Sequence, residues 1–434
     1  MSNSGARVLL RQAVRCVARS HRPALRHKST QSQSPNGAAT LSTAAPQPNL
    51  GAKEENRPPP CAYSSNAGPS LSEPLPGLPS PVYPPSPTHS FDGTQMTKLD
   101  SGLRVVTEPK FGNSCTLGVI IEAGSRYETA YPSGMCHMLE KLAYNSTQSY
   151  PSAAVLFKEF EQYGAVWDAQ ATKDLFIYAA NCHQSGFEML MQLIADTALR
   201  PLIQEEELNA AVNAVTFDSE SLNSSPDCEQ ILTDWIHEAA FRGNSLGLPK
   251  LCPVGTAPNI TRDLLYSYMS AHYTPERMVV VGIGTEHNSF VEFAQKYFVD
   301  KPAIWKQQPE LVARTVPDVD NSVAQYSGGI VKVERDLSKV GRGTPYPNLA
   351  HFVLGLQSCS FLDSDYVPMS VLNALMGGGC HFSSGGPGKG MYTRLYTQVL
   401  NLYHWMYNAT SYNHAYADDG LYYIHASSDP SHVS

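Results

Sequence analysis

The chain has 434 residues, 42% of them hydrophobic, which is enough for two or more folded domains with ordinary buried cores. It contains no run of about 18 or more apolar residues, so the sequence offers no membrane-spanning helix. The formal net charge of −8 falls to −15 once the seven cations of residues 1–28 are set aside; the acidic remainder suits basic partners and argues against nucleic acid.

Arg7, Arg11, Arg15 and Arg19 recur every four residues, which lines them along one side of a helix. Val8, Leu10, Val14, Val17 and Ala18 supply apolar surface between them, and no acidic residue precedes Glu54. This pattern predicts a mitochondrial transit peptide over 1–28. Residues 29–94 are rich in Ser, Pro, Ala and Gly, with Pro58, Pro59 and Pro60 consecutive. Such a stretch buries too little apolar area to offset its ordering entropy and is expected to be a disordered linker. The nine cysteines form no CxxC pair, which predicts reduced thiols in an intracellular compartment.

Periodic structure is expected from about residue 97. Strands are predicted at 103–107 and 116–122, then a helix at 133–145 with Ser133 as its N-cap. A helix at 153–163 precedes paired strands at 165–171 and 175–181. Helices follow at 186–199, 205–222, 228–241 and 261–272, then an apolar strand at 278–283 and a helix at 290–298. After a polar stretch at 302–325 a second block begins, with a strand at 351–356, a helix at 366–375, a glycine-rich segment, a helix at 390–400 and strands after Trp405. Strands mix with helices without regular βαβ alternation, so the fold class is α+β, with one domain over 95–325 and a second over 345–434.

His137-Met138-Leu139-Glu140-Lys141 falls within the helix predicted at 133–145. An H-x-x-E-H sequence would present two imidazoles to a zinc ion, with the glutamate activating the bound water. Here the last position is Lys141, and a protonated ammonium has no lone pair to give. At about 4 Å and an effective dielectric near 20, its charge against a dication costs roughly 8 kcal/mol. His137 alone does not make a three-ligand catalytic site.

The segment from Gly377 to Gly390 places seven glycines in fourteen residues, at Gly377, Gly378, Gly379, Gly385, Gly386, Gly388 and Gly390. It is expected to be a loop with an exposed backbone. A nucleotide P-loop is disfavoured, because Lys389 is followed by Gly390 and not by Ser or Thr.

Gly124-Ser125-Arg126-Tyr127-Glu128, Gly134, the HxxEK sequence and the glycine-rich segment with its continuation Met391-Tyr392-Thr393-Arg394-Leu395-Tyr396 resemble the pitrilysin-type (M16) metallopeptidase family. Within it they are similar to the alpha-subunit branch of the mitochondrial processing peptidases. The resemblance implies two similar domains of antiparallel sheet packed with helices, the second incomplete in an apparently truncated chain. It implies no catalytic residue and no metal in this chain. His137, Glu140 and Lys141 would be remnants of a lost zinc site, together with Asp218, 77 positions after Lys141, where active members carry a glutamate ligand. Zinc is expected in a catalytic beta subunit that pairs with this chain as a heterodimer. Gly377, Gly378, Gly379, Gly385, Gly386, Gly388, Lys389 and Gly390 would bind the presequences of imported precursors. Glu205, Glu206, Glu207, Asp418 and Asp419 are candidate acids for presequence arginines, although ordinary solvated charges are the stronger reading of each. The implied location is the mitochondrial matrix, with peripheral inner-membrane association admitted. The competing function is a structural core subunit of the respiratory cytochrome bc1 complex, which the intact glycine-rich segment disfavours.

Overall fold

The computed structural model describes residues 93–432, except residue 111 and residues 225–227, 314–315, 337–348 and 381–391. The expected transit peptide, the linker up to residue 92, and Gly385, Gly386, Gly388, Lys389 and Gly390 lie outside the described residues.

Six strands form the first sheet: β1 (Gln95–Lys98), β2 (Arg104–Glu108), β3 (Ser114–Ile121), β4 (Val166–Ala171), β5 (Phe176–His183) and β6 (Met278–Ile283). Their order is β1-β2-β6-β3-β5-β4, antiparallel except that β2 and β6 run parallel. Alternation along β3 sends Cys115, Leu117, Val119 and Ile121 to the helix-covered face and Ile120 to the other. β6 lies between β2 and β3 and is buried at every position, as a continuous valine-rich run requires.

The helices are α1 (Met135–Leu142), α2 (Ala153–Gln162), α3 (Phe187–Leu199), α4 (Glu205–Ser224), α5 (Glu229–Ala240), α6 (Arg262–His272) and α7 (His287–Ala294). Their apolar faces build one large core with the sheet, in which Leu190, Leu193 and Ile194 of α3 are fully enclosed. Each such side chain contributes roughly 1.5–3 kcal/mol on burial. Phe160 of α2 is completely buried and stacks on Trp167 of β4 with ring centroids 4.4 Å apart.

The second sheet contains β7 (Ala350–Ser358), β8 (Gly378–Cys380), β9 (Met406–Ala415) and β10 (Gly420–Ser428) in the order β7-β10-β9-β8, all antiparallel. α8 (Tyr366–Met376) follows β7, and a π-turn over Tyr396–Leu400 precedes β9.

The differences from expectation have local causes. α1 starts after Gly134, not Ser133, because the buried Glu128 carboxylate accepts both the Gly134 and Cys136 amides at 2.7 Å and supplies the cap from outside the helix. Gly134 has φ +106°, and a Cβ there would lie 2.5 Å from the Cys252 sulfur. The helix ends at Leu142 because Ala143 is extended and Tyr144 adopts a left-handed φ of 59°. The helix expected at 290–298 starts earlier, at His287, and closes in a π-turn over Gln295–Asp300. Of the helix expected at 390–400, residues 394–400 are helical, in π form over Tyr396–Leu400, and residues 390 and 391 lie outside the described residues.

The two sheets meet across α5 and the segment near Ala324. Arg126, only 5% exposed, donates to Asp174 at 2.9 Å and to both oxygens of Asp418 in the β9–β10 turn, at 2.9 and 2.6 Å. Asp418 also accepts the Ala324 amide at 2.7 Å. Burial opposes its charge, but Arg126 and that amide prevail and hold the carboxyl below its ordinary range. Tyr416 bonds His237 of α5 at 2.7 Å, and Tyr423 bonds Thr233 at 2.9 Å.

Glu128 gives a pH dependence. Burial drives its pKa up to about 7 against the opposing amide bonds, whereas the unfolded carboxyl titrates near about 4.3. The native state therefore holds the proton over a range in which the unfolded chain has lost it. Stability is expected to fall as pH rises from about 4.3 through about 7, because the unfolded state binds fewer protons there. Glu128→Gln should flatten that part of the curve, as measured by chemical denaturation at pH 5.0 and 7.5.

Candidate functional site

α1 presents His137, Glu140 and Lys141 at i, i+3 and i+4, and therefore along one face. That face packs on α4, which brings Asp218 opposite. The cleft between them has a volume of about 380 Å³ and is also lined by Gln230 and Lys250. The structure thus assembles the four residues of the HxxEK pattern and its distal acid into one place. Glu220, two positions along α4, is exposed and outside the cleft lining.

Lys141 Nζ lies 2.5 Å from Asp218 Oδ2, and His137 Nε2 lies 3.7 Å from the same oxygen. The Lys141 ammonium thus pairs with the distal acid across the cleft between the two helices. Glu140 turns to the end of β4, where it accepts the Ala171 amide at 3.2 Å.

The imidazole of His137 is oriented against metal binding. Its Nδ1 accepts the Cys252 backbone N–H at 3.3 Å. Burial lowers its pKa, so the ring is neutral at pH 7 and its one proton sits on Nε2, facing Asp218. A ligating histidine has the opposite arrangement, with Nδ1–H donated to an acceptor and the Nε2 lone pair left for the metal. These side chains do not fit a zinc ion. Among the described residues, no three His, Cys, Asp or Glu side chains converge as a metal site.

The glycine-rich segment begins as structure. Gly377 has φ +51° and Gly378 φ +106°, and Gly378–Cys380 pair with β9 as β8. A Cβ on Gly378 would fall 2.0 Å from the Ala409 carbonyl oxygen. The expectation of a loop from Gly377 onward is therefore corrected. Gly377 joins α8 to the sheet, and Gly378 and Gly379 form an edge strand that brings the segment close against a neighbouring backbone.

Three candidate acids are already engaged. Glu207 accepts the Ser146 amide and hydroxyl at 2.8 and 2.7 Å, Asp418 holds Arg126, and Asp419 accepts Gln357 at 3.2 Å. Glu205 and Glu206 are exposed at the start of α4.

Residues 104–254 match the family described as Insulinase (Peptidase family M16), and residues 259–434 match the Peptidase M16 inactive domain. The chain belongs to peptidase family M16. Among M16 relatives, it is 48% identical over 364 residues to the Bos taurus protein named mitochondrial-processing peptidase subunit alpha, covering 84% of this chain and 68% of that one. The Homo sapiens protein of the same name is 47% identical over the same shares, and that of Caenorhabditis elegans 41%, over 79% and 66%. A crystal structure of a protease from Helicobacter pylori matches with a TM-score of 0.62 at 19% identity, covering 78% of this chain and 75% of that one. That likeness shows a shared α+β fold. The named relatives are processing-peptidase subunits, so the respiratory core-protein reading finds no support in them.

Proposed function

We propose that this chain is the non-catalytic subunit of a mitochondrial processing peptidase. It holds the presequence of an imported precursor while a zinc-bearing beta subunit cleaves it. One observation supports the non-catalytic reading: Lys141 and Asp218, at two of the positions where the resemblance puts ligands in active members, are held in an ion pair, beside a histidine whose Nδ1 is taken by a backbone amide. The names of the relatives support a partner subunit and a mitochondrial location, and the Arg-rich start of the chain agrees with import into the matrix. Among the described residues no helix is long and apolar enough to cross a membrane.

The chain's own contribution is to bind and position. The segment from Gly377 to Gly390 leaves β9 at β8, so it is tethered at one end to a rigid sheet. Backbone groups of such a segment pair with an extended peptide without reading each side chain, which suits clients of varied sequence. The acidic character of the chain attracts arginine-rich peptides, more strongly at low salt.

Reconstitution with the catalytic partner tests this reading. Deleting residues 377–390 is expected to lower presequence-peptide processing at least tenfold, mainly through weaker binding. Unchanged processing by the deleted heterodimer would remove this segment from the mechanism.

A further inference from the structure

Cys115 of β3 and Cys182 of β5 stand directly opposite each other in the first sheet. Their sulfurs lie 3.7 Å apart, and both side chains are free thiols, 0% and 1% exposed. Neighbouring bonds fix the kind of strand pair. The Gln184 amide donates to Asn113 O at 2.9 Å, while the His183 amide points the other way, to Tyr163 O at 3.3 Å. Ser114 and His183 are therefore a non-hydrogen-bonded pair, and Cys115 and Cys182 the hydrogen-bonded pair that follows. Such a pair sets its Cα atoms about 5.5 Å apart, within the span of a disulfide. The sulfurs have to close from contact to a bond of about 2.05 Å, a movement that side-chain rotation and a small strand shift supply. Two further buried cysteines are engaged elsewhere. Cys136 Sγ lies 3.3 Å from the Tyr268 hydroxyl, and Cys252 Sγ 3.7 Å from Ser133 O.

The pair is buried but close to an exit. It lies one residue inside Ser114 and His183, the last partners of the two strands, and both of these are exposed, as are Gly112, Asn113 and Gln184. Opening of this strand end, the least protected part of the ladder, admits a molecule about the size of water.

The two sulfurs are not equivalent. Cys182 Sγ lies 3.1 Å from the His183 carbonyl oxygen, an acceptor that keeps the proton on that sulfur. The bond from Cys182 also favours the thiolate on Cys115 and lowers its pKa against the effect of burial, while the same bond and burial raise that of Cys182. Cys115 is thus the nucleophile and Cys182 the thiol that resolves what forms on it.

We infer that Cys115 and Cys182 are a peroxide-sensitive dithiol that closes to a reversible disulfide between β3 and β5. The Cys115 thiolate attacks one oxygen of hydrogen peroxide; the O–O bond breaks, hydroxide leaves, and Cys115 becomes a sulfenic acid. Cys182 then attacks that sulfur; the S–S bond forms, the S–O bond breaks, and the departing hydroxide takes the Cys182 proton. The dithiol gives up two electrons and two protons, and one peroxide becomes two waters. Exchange with an external dithiol restores both cysteines. The bond closes a loop that contains α1, α2 and β4, so it stiffens the strand end that opened to admit the oxidant. It lies at the Ser114 end of β3, whereas Glu140 of the cleft bonds Ala171, beside the Ile121–Phe176 end. Presequence binding plays no part in the reaction.

The test treats the full, reduced chain with about one equivalent of hydrogen peroxide under native conditions, blocks the remaining thiols by alkylation and maps the peptides by mass spectrometry. The main product is expected to be a peptide cross-linked through Cys115 and Cys182, two hydrogens lighter than its two parts and released by dithiothreitol. Amide exchange at residues 114–116 and 181–183 should slow at least tenfold in the bridged chain. Cys182→Ser should stop at a Cys115 sulfenic acid that dimedone traps, and Cys115→Ser should leave Cys182 oxidised at least tenfold more slowly. Cys182→Ala and Cys115→Ala repeat these two measurements without a buried hydroxyl, and the map of the parent chain needs no variant. A bridge that forms only in denaturant, or cross-links spread evenly over the cysteines, would overturn the proposal. So would oxidation of Cys182 in Cys115→Ser as fast as that of Cys115 in Cys182→Ser.

Discussion

Replacing Arg126 by alanine is expected to destabilise the chain by about 3–5 kcal/mol, because it leaves two partly buried carboxylates, Asp174 and Asp418, without their shared, buried cation. The damage should be concentrated where the two sheets meet. Asp418 also fixes the Ala324 amide, so its release loosens the chain segment that leads into the second sheet. Two conservative changes separate charge from packing. Arg126→Lys keeps the charge but loses the paired contact with both Asp418 oxygens, and should cost about half as much as alanine. Asp418→Asn should be milder again, since Asp174 still neutralises Arg126. Denaturant unfolding monitored by hydrogen exchange checks this: β9 and β10 should open before β3 and β5 in Arg126→Ala. Equal loss of protection in both sheets would mean that Arg126 does not act at their junction.

Gly378→Val should have the second largest effect. Valine at φ +106° costs about 1–3 kcal/mol in backbone strain. The Cβ collision with the Ala409 carbonyl adds a further cost of about 1–3 kcal/mol. The cheapest relief is for β8 to leave β9, and the sheet can survive because β8 is an edge strand of three residues. The expected phenotype is therefore a folded protein with a slack glycine-rich segment. In the reconstituted heterodimer, processing should fall at least tenfold while far-UV circular dichroism changes little. Gly379→Ala, at the next position of the strand, should be tolerated far better, within about threefold of the parent. Equal losses from both substitutions would point to a general need for glycine and not to the close approach at Gly378.

Much of this was legible in the residues themselves. The i, i+3, i+4 spacing of His137, Glu140 and Lys141 fixed a common face once a helix was assumed, and Lys141 alone argued against zinc. Asp218 could be nominated by its spacing within the family resemblance, though nothing in the sequence said that it would pair with Lys141. The orientation of the His137 ring could not be read in advance. It depends on the backbone amide of Cys252, 115 residues away, and a backbone group leaves no mark on composition. Lys250 and Gln230 enter the cleft from other parts of the chain and were invisible for the same reason. Glu128 misled the reading of α1, because a buried carboxylate six residues upstream replaced the local cap that Ser133 would have supplied. β8 escaped notice because glycine has low strand propensity, yet glycine is what lets Gly378 sit against Ala409. Asp418 and Asp419 read as loose surface acids because their partners, Arg126 and Gln357, lie far away in the sequence.

The most direct test of the account is to measure bound zinc and peptide turnover on the same preparation of the isolated chain. Metal well below one equivalent and no cleavage of a presequence peptide are predicted, with cleavage appearing only when the zinc-bearing partner is added. One equivalent of tightly bound zinc, with turnover lost on chelation and restored on readdition in the absence of any second protein, would contradict it.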